Sequence, residues 1–307
     1  MSRLALLLSP LLLPALLFGC AATKNDRFHD LAGEILDLFS EADLICLGES
    51  HGSLLDAELR GALVEHALFD EVDVIVVEFA NPLHQERLDR LVLSGEVLTR
   101  RQLRPIWLDA GLGRMWDLPV YEDFLRRVAE SNRRRPEASR IRIVGAALPI
   151  DWSRVETARQ LDPFRDRLSH FEHVLRREIL EPGRKGLAIF GTGHCERRPP
   201  SPLARLPADR VRGIFGFEGE RGRAAARERF DLGAHARYLP IRGADAATWP
   251  SGAMLFEGHA AAGATLGDVA DGLVYYGVAD ELHGPPTLEP ELEEEIERRA
   301  RLWSQPN

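Results

Sequence analysis

Residues Leu44 to Gly52 read LICLGESHG. Its first four residues are apolar, and a short apolar run bounded by glycine is typical of a buried strand. Two glycines then bracket Glu49, Ser50 and His51, and glycine permits a tight turn and a close approach of the backbone. The stretch therefore predicts a buried strand that runs into a polar turn, where Glu49 and His51 begin an active or ligand-binding site.

Further apolar runs resemble this first strand. They lack strict alternation of apolar and polar residues, which suits strands covered on both faces. Amphipathic helical patterns lie between them, and this order predicts an α/β fold with a mostly parallel central sheet flanked by helices. The predicted strands are Leu44 to Leu47, Val72 to Val77, Ile141 to Val144, Leu187 to Phe190, Val211 to Phe215 and Leu273 to Tyr276. The predicted helices are Asp56 to Leu68, His84 to Val92, Val120 to Ser131 and Pro163 to Leu180.

The connection from Gly95 to Asp117 is too long for an ordinary link between a strand and a helix. It contains Trp107 and Trp116, and we expect a helical insertion or a lid near the carboxyl edge of the sheet. From Pro199 onward the pattern weakens. The last segment, Pro290 to Trp303, runs from acidic to basic residues, which suits the dipole of a helix.

The N-terminus has the features of a bacterial export signal. Arg3 precedes an apolar run from Leu4 to Phe18, which prolines interrupt and which is shorter than the ~20 residues of a transmembrane helix. The run from Leu17 to Cys20 resembles a lipobox, in which the cysteine is lipidated after cleavage. We expect a lipid anchor at Cys20, with plain secretion and an uncleaved anchor as alternatives. The expected location is the bacterial cell envelope, and Ala21 favours the outer membrane.

The predicted organisation follows from these segments. Residues 1–19 form a signal peptide of the lipoprotein type, and 20–42 a linker with the first helix. Residues 43–285 form a single α/β domain, and 286–307 a charged C-terminal helix.

The net charge and the cysteine content limit which partners the chain can bind and which disulfides it can form. The net charge of −9 argues against a nucleic-acid binder, because binding phosphates requires a basic face. If Cys20 carries lipid, only Cys46 and Cys195 remain. They could form a disulfide in an oxidising envelope, but two buried and separate thiols are the favoured expectation.

Polar residues follow several of the predicted strands, and ligands of open α/β sheets bind beyond the carboxyl ends of strands. Glu49 and His51 follow the first strand. Glu78 follows the second, and His194 ends a glycine-rich turn after the fourth. We therefore expect two carboxylates and two histidines to meet at one edge. Such a set could activate water through a histidine base, or hold a divalent metal ion.

Each of these residues also has a plainer explanation. Glu49 could cap the following helix, and His51 could only hydrogen-bond within the turn. Glu78 would be costly to bury alone, so it could form a salt bridge, for example with Arg60. His194 could be a core histidine with its hydrogen bonds satisfied.

Other candidates are weaker. Asp109 and Asp151 could simply cap helices. His170 and His173 share a helix face, but no third metal ligand is apparent near them. The chain has no G-x-S-x-G motif, which disfavours a serine α/β-hydrolase, and its glycine-rich turn lacks the lysine of a phosphate-binding loop.

The motifs LGESHG, VVEFA and FGTGH, with the downstream Arg60, resemble the superfamily of erythromycin esterase-like proteins and ChaN-like haem-uptake lipoproteins, and more distantly the Tiki metalloproteases. The resemblance extends from Asp43 to about Phe217. The spacing of Glu49 and His51 is that of ChaN-like and Tiki-like proteins, one residue shorter than in the esterase pattern. The trailing Gly52 resembles the esterases.

The resemblance implies that His51 is a water-activating base or a metal ligand. Glu49 and Glu78 would orient it or ligate the metal, and His194 would be a second base, acid or ligand. Arg60 would be an electrostatic partner that stabilises a developing oxyanion.

Two main functions follow from this resemblance. The first is an envelope-anchored hydrolase of an ester or amide bond, acting on a small-molecule substrate with or without a divalent metal ion. The alternative is a haem- or iron-binding lipoprotein without catalysis, although no axial-ligand motif stands out. A third reading is an inactive enzyme fold that serves as an interaction module.

Overall fold

The computed structural model describes residues 26–111, 114–217, 219–251, 263–278 and 290–305. The predicted signal peptide and its lipidation site, Cys20, lie outside these residues. Among the helices that the structure describes, none is long and apolar enough to cross a membrane.

The described residues contain seven strands, which form one sheet. The strands are β1 (Leu44–Glu49), β2 (Val74–Val77), β3 (Arg142–Gly145), β4 (Gly186–Gly191), β5 (Val211–Gly216), β6 (Arg237–Pro240) and β7 (Gly272–Tyr275). Their order across the sheet is β3-β2-β4-β1-β5-β7-β6. Only the edge pair β6 and β7 is antiparallel, and the other neighbours are parallel. The predicted α/β fold with a mostly parallel sheet is confirmed.

Helices cover the sheet on both faces. The α-helices are α1 (His29–Leu36), α2 (Leu54–Glu65), α3 (Gln85–Val92), α4 (Arg100–Leu103), α5 (Pro105–Leu108), α6 (Pro119–Arg133), α7 (Arg167–Leu175), α8 (Gly219–Phe230), α9 (Leu266–Val269) and α10 (Pro290–Ser304). In β1, Ile45 and Leu47 enter the core formed with α1, α2, α3 and α6. Leu44 and Cys46 enter the core on the opposite face, formed with α7, α8 and α9. This alternation between two apolar cores explains the continuous apolar runs of the inner strands.

All six predicted strands are present, but the edge strand β6 was not predicted. It buries only Leu239 and ends in Pro240, so it has no apolar run to reveal it. Helix α8 was also missed, in the region where the sequence pattern weakens. Helix α7 begins later than expected, at Arg167, because the Asp166 side chain accepts a hydrogen bond from the Ser169 N–H and caps it there.

The segment from Gly95 to Asp117 is the predicted helical insertion, with α4 and α5 inside it. Trp107 is fully buried and donates a hydrogen bond to the Asp117 carboxylate over 2.8 Å, so it belongs to the core. Trp116 instead reaches the cavity described below.

Cys46 and Cys195 form a disulfide, with their Cα atoms 5.4 Å apart. The expectation of two separate thiols is therefore wrong. Cys46 lies on β1, and Cys195 follows the turn after β4, which is the neighbour of β1 in the sheet. The sequence alone did not reveal this adjacency, because β4 is the fourth strand along the chain.

Candidate functional site

The register of three adjacent strands brings the predicted site residues together. Glu49 at the end of β1 lies opposite Gly191 at the end of β4. Val77 at the end of β2 lies opposite Ile189, and the next N–H, of Glu78, donates to the Ile189 carbonyl over 3.1 Å. The carboxyl ends of β2, β4 and β1 therefore meet at one edge, as expected for a ligand site in a parallel sheet.

The first carboxylate and histidine pair consists of Glu49 and His51. His51 Nδ1 lies 3.2 Å from Glu49 Oε1, which also accepts a hydrogen bond of 2.9 Å from the Tyr121 hydroxyl. Arg60 donates from Nη1 to the other oxygen, Oε2. The Glu49 side chain is 2% exposed whereas that of His51 is 30% exposed, so the imidazole is the member of the pair that solvent reaches.

These contacts set the charge of the first pair. Burial alone would raise the pKa of Glu49, but the Arg60 guanidinium and His51 outweigh it, so the pKa lies below its usual value. Burial would lower the pKa of His51, yet its hydrogen bond with Glu49 and the charges of Glu49 and Glu78 raise it above the usual value. His51 therefore holds its proton more strongly than a free imidazole does, and its neutral form is the one that can act as a general base.

The turn that carries His51 is held from both sides. Tyr121 accepts a hydrogen bond of 3.0 Å from the Gly52 N–H. Asp56 accepts one of 2.8 Å from the Ser50 N–H through Oδ2. Ser53 caps α2 by accepting from the Asp56 N–H, so the plainer explanation of Glu49 as the cap of this helix does not apply.

The second pair consists of Glu78 and His194. Glu78 Oε1 lies 3.4 Å from His194 Nε2, and Oε2 accepts a hydrogen bond of 2.7 Å from the Gly191 N–H. Burial would raise the pKa of Glu78, but His194, His51 and the Gly191 N–H lower it to about 2. Glu78 is thus a buried carboxylate that stays ionised.

Both pairs border the same glycine. A Cβ atom built on Gly191 would lie 3.0 Å from His51 Nε2 and 3.4 Å from Glu78 Oε2. The lack of a side chain at Gly191 is therefore what lets the two pairs approach each other.

The two pairs open into a cavity of about 1020 Å³, whose lining includes His51, Glu78 and His194. This volume suits a drug-sized molecule. Trp116 and Phe171 form part of the apolar wall, and their rings make edge contacts with the imidazoles, Trp116 with His51 and Phe171 with His194.

Arg60 does not lie beside Glu78 or in the cavity, as the sequence suggested. It is 1% exposed, pairs with Glu49 rather than Glu78, and is absent from the cavity lining. It can neutralise the charge of Glu49 but cannot contact an oxyanion of a substrate. A different arginine, Arg167, does line the cavity, with Nη1 4.0 Å from Glu78 Oε1 and a half-exposed side chain.

The four residues do not fit a divalent metal ion in this arrangement. The two oxygens of Glu49 are taken by Arg60, Tyr121 and His51, and a neighbouring guanidinium disfavours a second cation. Within the described parts of the chain, no group of three His, Cys, Asp or Glu side chains is placed to hold a metal.

The weaker candidates lie outside this site. Asp109 pairs with His84 over 2.7 Å and with Arg299 over 3.0 Å, beside a separate cavity. Asp151 lines that second cavity too and caps the turn at Ser153, as its plainer explanation predicts. Of the two helix histidines, His170 bonds to the Ala147 carbonyl over 3.1 Å and His173 is exposed.

Sequence reasoning missed the residues that support the site from distant elements. Tyr121 on α6 and Arg167 on α7 carried no local motif, since Tyr121 is one buried position among several in its helix and Arg167 is the first residue of its helix. Asp56 had a signal, because it is an acidic residue three positions after Ser53, but that pattern indicated only a helix cap.

No family model matches the chain, and no curated protein matches it significantly. Three solved structures resemble it. A Bacillus cereus protein is 12% identical with a TM-score of 0.51, covering 78% of this chain and 89% of its own. ChaN of Campylobacter jejuni, described with cofacial haem, is 18% identical with a TM-score of 0.41, covering 63% and 87%. The type III effector HopBA1 is 19% identical with a TM-score of 0.36, covering 63% and 82%.

At such low identities a structural likeness concerns the fold alone. The Bacillus cereus protein therefore supports the α/β architecture, and the two lower TM-scores support no conclusion about this chain. Membership of an esterase-like or ChaN-like family stays a hypothesis from the motifs.

Proposed function

We propose that this protein hydrolyses an ester or amide bond, with His51 as the base that activates water. The main observation is that two carboxylate and histidine pairs meet at the carboxyl ends of adjacent strands. Both pairs open into one cavity of about 1020 Å³. An imidazole held by a buried carboxylate is a common general base, and two pairs can divide the work of base and acid.

In the first step His51 Nε2 takes a proton from water as its oxygen attacks the substrate carbonyl. Glu49 fixes the proton on Nδ1, which leaves Nε2 free to accept, and its charge stabilises the imidazolium that forms. In the second step His194, next to the Glu78 carboxylate, donates a proton to the leaving oxygen or nitrogen as the carbonyl bond breaks. The products are an acid and an alcohol or amine, and the proton on His51 returns to His194 through solvent, which restores both side chains.

The attack places negative charge on the carbonyl oxygen, and a cation in the cavity must stabilise it. Arg167 takes this role in the proposal, instead of the buried Arg60, because it lines the cavity beside Glu78. Removing one such donor typically costs about 10²–10³ in rate. Arg167→Gln is expected to show such a loss at unchanged stability, since half of its side chain is in solvent.

The proposal is tested with His51→Gln and His194→Gln, measured on 4-nitrophenyl acetate and on its anilide analogue. Loss of the base in His51→Gln should lower kcat by about 10²–10⁴ on both substrates, whereas loss of the acid in His194→Gln should do so on the anilide only, because 4-nitrophenolate leaves without a proton. His173→Gln is the matched control, because His173 is exposed and outside the cavity. Unchanged turnover in His51→Gln, in a protein that is folded by circular dichroism, would remove His51 as the base.

Haem binding without catalysis is the second candidate, and one observation favours it. His51 is bonded to a carboxylate through Nδ1 and lines the cavity, which is how an axial histidine ligand is commonly arranged. Mixing the purified protein with haemin and recording its absorption spectrum is the direct test. A Soret band that shifts in the wild type but not in His51→Ala would replace the hydrolase proposal.

We also propose that the chain is anchored in the bacterial envelope by lipid on Cys20. Support comes from the apolar run that ends in LFGC. In cells that express the full chain, Cys20→Ser is expected to move the protein from the membrane fraction to the soluble fraction. Membrane association that survives the substitution would contradict a lipid anchor.

A further inference from the structure

The buried guanidinium of Arg60 has more hydrogen-bond donors than partners. Its Nη1 donates to Glu49, whereas Nε and Nη2 have no hydrogen-bond partner among the described residues. Arg60 is 1% exposed, and the centre of its guanidinium lies 5.6 Å from that of the Tyr121 ring and 5.8 Å from that of the Phe124 ring. Unmet donors on a buried charged group are costly, so a second acceptor within the protein would stabilise it.

Asp56 is the carboxyl group that can supply this acceptor. It lies one helical turn before Arg60 on α2, and residues four apart face the same side of a helix. Asp56 is 6% exposed, and its oxygens accept hydrogen bonds from the Tyr276 hydroxyl and, over 2.8 Å, from the Ser50 N–H. Each carboxylate oxygen has two lone pairs, so both can accept a further donor. In this structure Arg60 pairs with Glu49 alone, as expected when Asp56 carries no charge.

The charge of Asp56 changes near neutral pH. Burial raises the pKa of Asp56 to about 7, against the hydrogen bond from Tyr276 and the charge of Arg60, which lower it. Above that pH a second buried carboxylate attracts the same guanidinium. The charged and titratable groups around the carboxyl are Arg60 on α2, Glu49 on β1 and Tyr276 after β7, followed by Tyr121 on α6, against Arg60, and Arg27 before α1, which donates to the Tyr276 carbonyl over 2.9 Å.

We propose that Arg60 is shared between Glu49 and Asp56, so that the charge of Asp56 sets how far Arg60 offsets the charge of Glu49 that acts on His51. When Asp56 is protonated, the guanidinium pairs with Glu49 alone and weakens its hold on the His51 proton. When Asp56 is ionised, the unmet N–H groups turn to it, and Glu49 holds that proton more strongly. Asp56 is outside the cavity lining, so it is a positioning residue that acts through Arg60. The consequence for catalysis rests on the proposed hydrolysis, whereas the effect on His51 does not.

The sharing is tested with Asp56→Asn, which imitates the protonated form. The amide oxygen can accept from the Ser50 N–H while the amide group adds no charge. The titration of His51 is followed between about pH 5 and pH 9 through the ring ¹⁵N chemical shifts of the labelled protein. We expect the wild type to release this proton at higher pH and over a broader range, with a proton affinity about threefold above that of the variant, because Asp56 ionises in the same range.

The control for this titration is His173, which is exposed and outside the cavity and should titrate identically in both proteins. Coincident His51 curves in the wild type and Asp56→Asn would overturn the sharing. The Ser50 amide shift should agree in the two proteins at about pH 5 and differ at about pH 9, since only the wild type gains a charge. A difference of the same size at both pH values would mean that the substitution moves the turn itself, and would also overturn the proposal.

Tyr276→Phe is the second variant, and it keeps the Asp56 carboxyl. Its loss removes a hydrogen bond that lowers the pKa of Asp56, so Asp56 should stay protonated to higher pH. The His51 curve of this variant is therefore expected to move from that of the wild type toward that of Asp56→Asn. A shift in the opposite direction would contradict the sharing of Arg60.

The pH dependence of hydrolysis separates this inference from the proposed function. If 4-nitrophenyl acetate is cleaved by His51, the acidic limb of kcat/KM should lie at lower pH in Asp56→Asn than in the wild type. A shifted His51 titration in a protein that cleaves no ester would support the sharing and contradict the hydrolase. Cleavage that is lost in His51→Gln, together with coincident His51 titrations in the wild type and Asp56→Asn, would support the hydrolase and overturn the sharing.

Discussion

Replacing Glu49 with glutamine keeps the shape of the side chain but removes the charge that raises the pKa of His51. His51 acts as a base only when neutral, so the wild-type rate falls as the pH drops through this raised pKa. In Glu49→Gln the pKa of His51 falls, and the acidic limb of the kcat/KM profile is expected to move to lower pH, with a lower plateau. If the acidic limb of the kcat/KM profile lies at the same pH in both proteins, a group other than His51 limits the rate at low pH.

The same substitution leaves Arg60 buried beside a neutral side chain. An unpaired buried charge costs about 3–5 kcal/mol, so Glu49→Gln alone should unfold at lower denaturant concentration. The double variant Glu49→Gln, Arg60→Met removes both charges and should recover most of that stability. Its pH profile should still resemble that of the single variant, because the shift comes from Glu49 and not from the fold.

The stability of the fold is also expected to depend on pH through Asp56, whose pKa is raised, whereas that of Glu49 is lowered. Burial raises its pKa to about 7, while its carboxylate accepts hydrogen bonds from Tyr276 and the Ser50 N–H. A carboxyl with a raised pKa stabilises the fold when protonated, and that contribution is lost as the pH rises through about 7. We expect the wild type to lose thermal stability as the pH rises from about 4, the usual pKa of an aspartate, to about 7, and Asp56→Asn to lose less over that range. If Tm changes with pH in the same way in the two proteins, the raised pKa of Asp56 is contradicted.

At the level of secondary structure, the glycine at the end of β4 determines how closely the Glu49–His51 and Glu78–His194 pairs approach each other. Gly191 has an ordinary φ of −56°, so alanine is allowed there by its backbone. The new Cβ would lie 2.8 Å from His51 Cε1, and the imidazole must move. Gly191→Ala is expected to lower kcat by up to about 10²-fold, which is the cost of misplacing a catalytic group by about 1 Å.

Gly233→Ala is the control for this prediction, because a Cβ at Gly233 meets nothing within 4 Å. Crystal structures or chemical shifts of the His51 ring in both variants would show whether only Gly191→Ala displaces it. Full activity in Gly191→Ala would mean that the two pairs work independently.

At this scale the sequence predicted the inner strands and the residues at their ends. Glu49, Glu78 and His194 were found because each directly follows an apolar run or a glycine-rich turn, and parallel strands end at one edge. The edge strand β6 escaped because four residues with one buried side chain leave no pattern. Tyr121 and Arg167 escaped because helix packing, which no local spacing encodes, brings them to the site.

At the scale of the whole molecule, a disulfide bond links the two parts of the chain that carry Glu49 and His194. The disulfide joins Cys46 on β1, three residues before Glu49, to Cys195, directly after His194, and it spans 149 residues of chain. Closing a loop of that length restricts the unfolded chain and stabilises the fold by about 4–5 kcal/mol. Such a bond persists in oxidising compartments, which is where the proposed envelope anchor would hold the protein.

The bond predicts how the protein responds to reductant. The variant Cys46→Ala, Cys195→Ala should lose about 4 kcal/mol of unfolding free energy and about 10 °C in Tm. Wild-type protein that is unfolded and refolded with dithiothreitol should resemble the variant, because both sulfurs are fully buried and react only after opening. The variant itself should not respond to dithiothreitol. If the wild type keeps its Tm after full reduction, shown by mass spectrometry of alkylated thiols, then packing of the two strands, and not the disulfide, holds His194 beside Glu78.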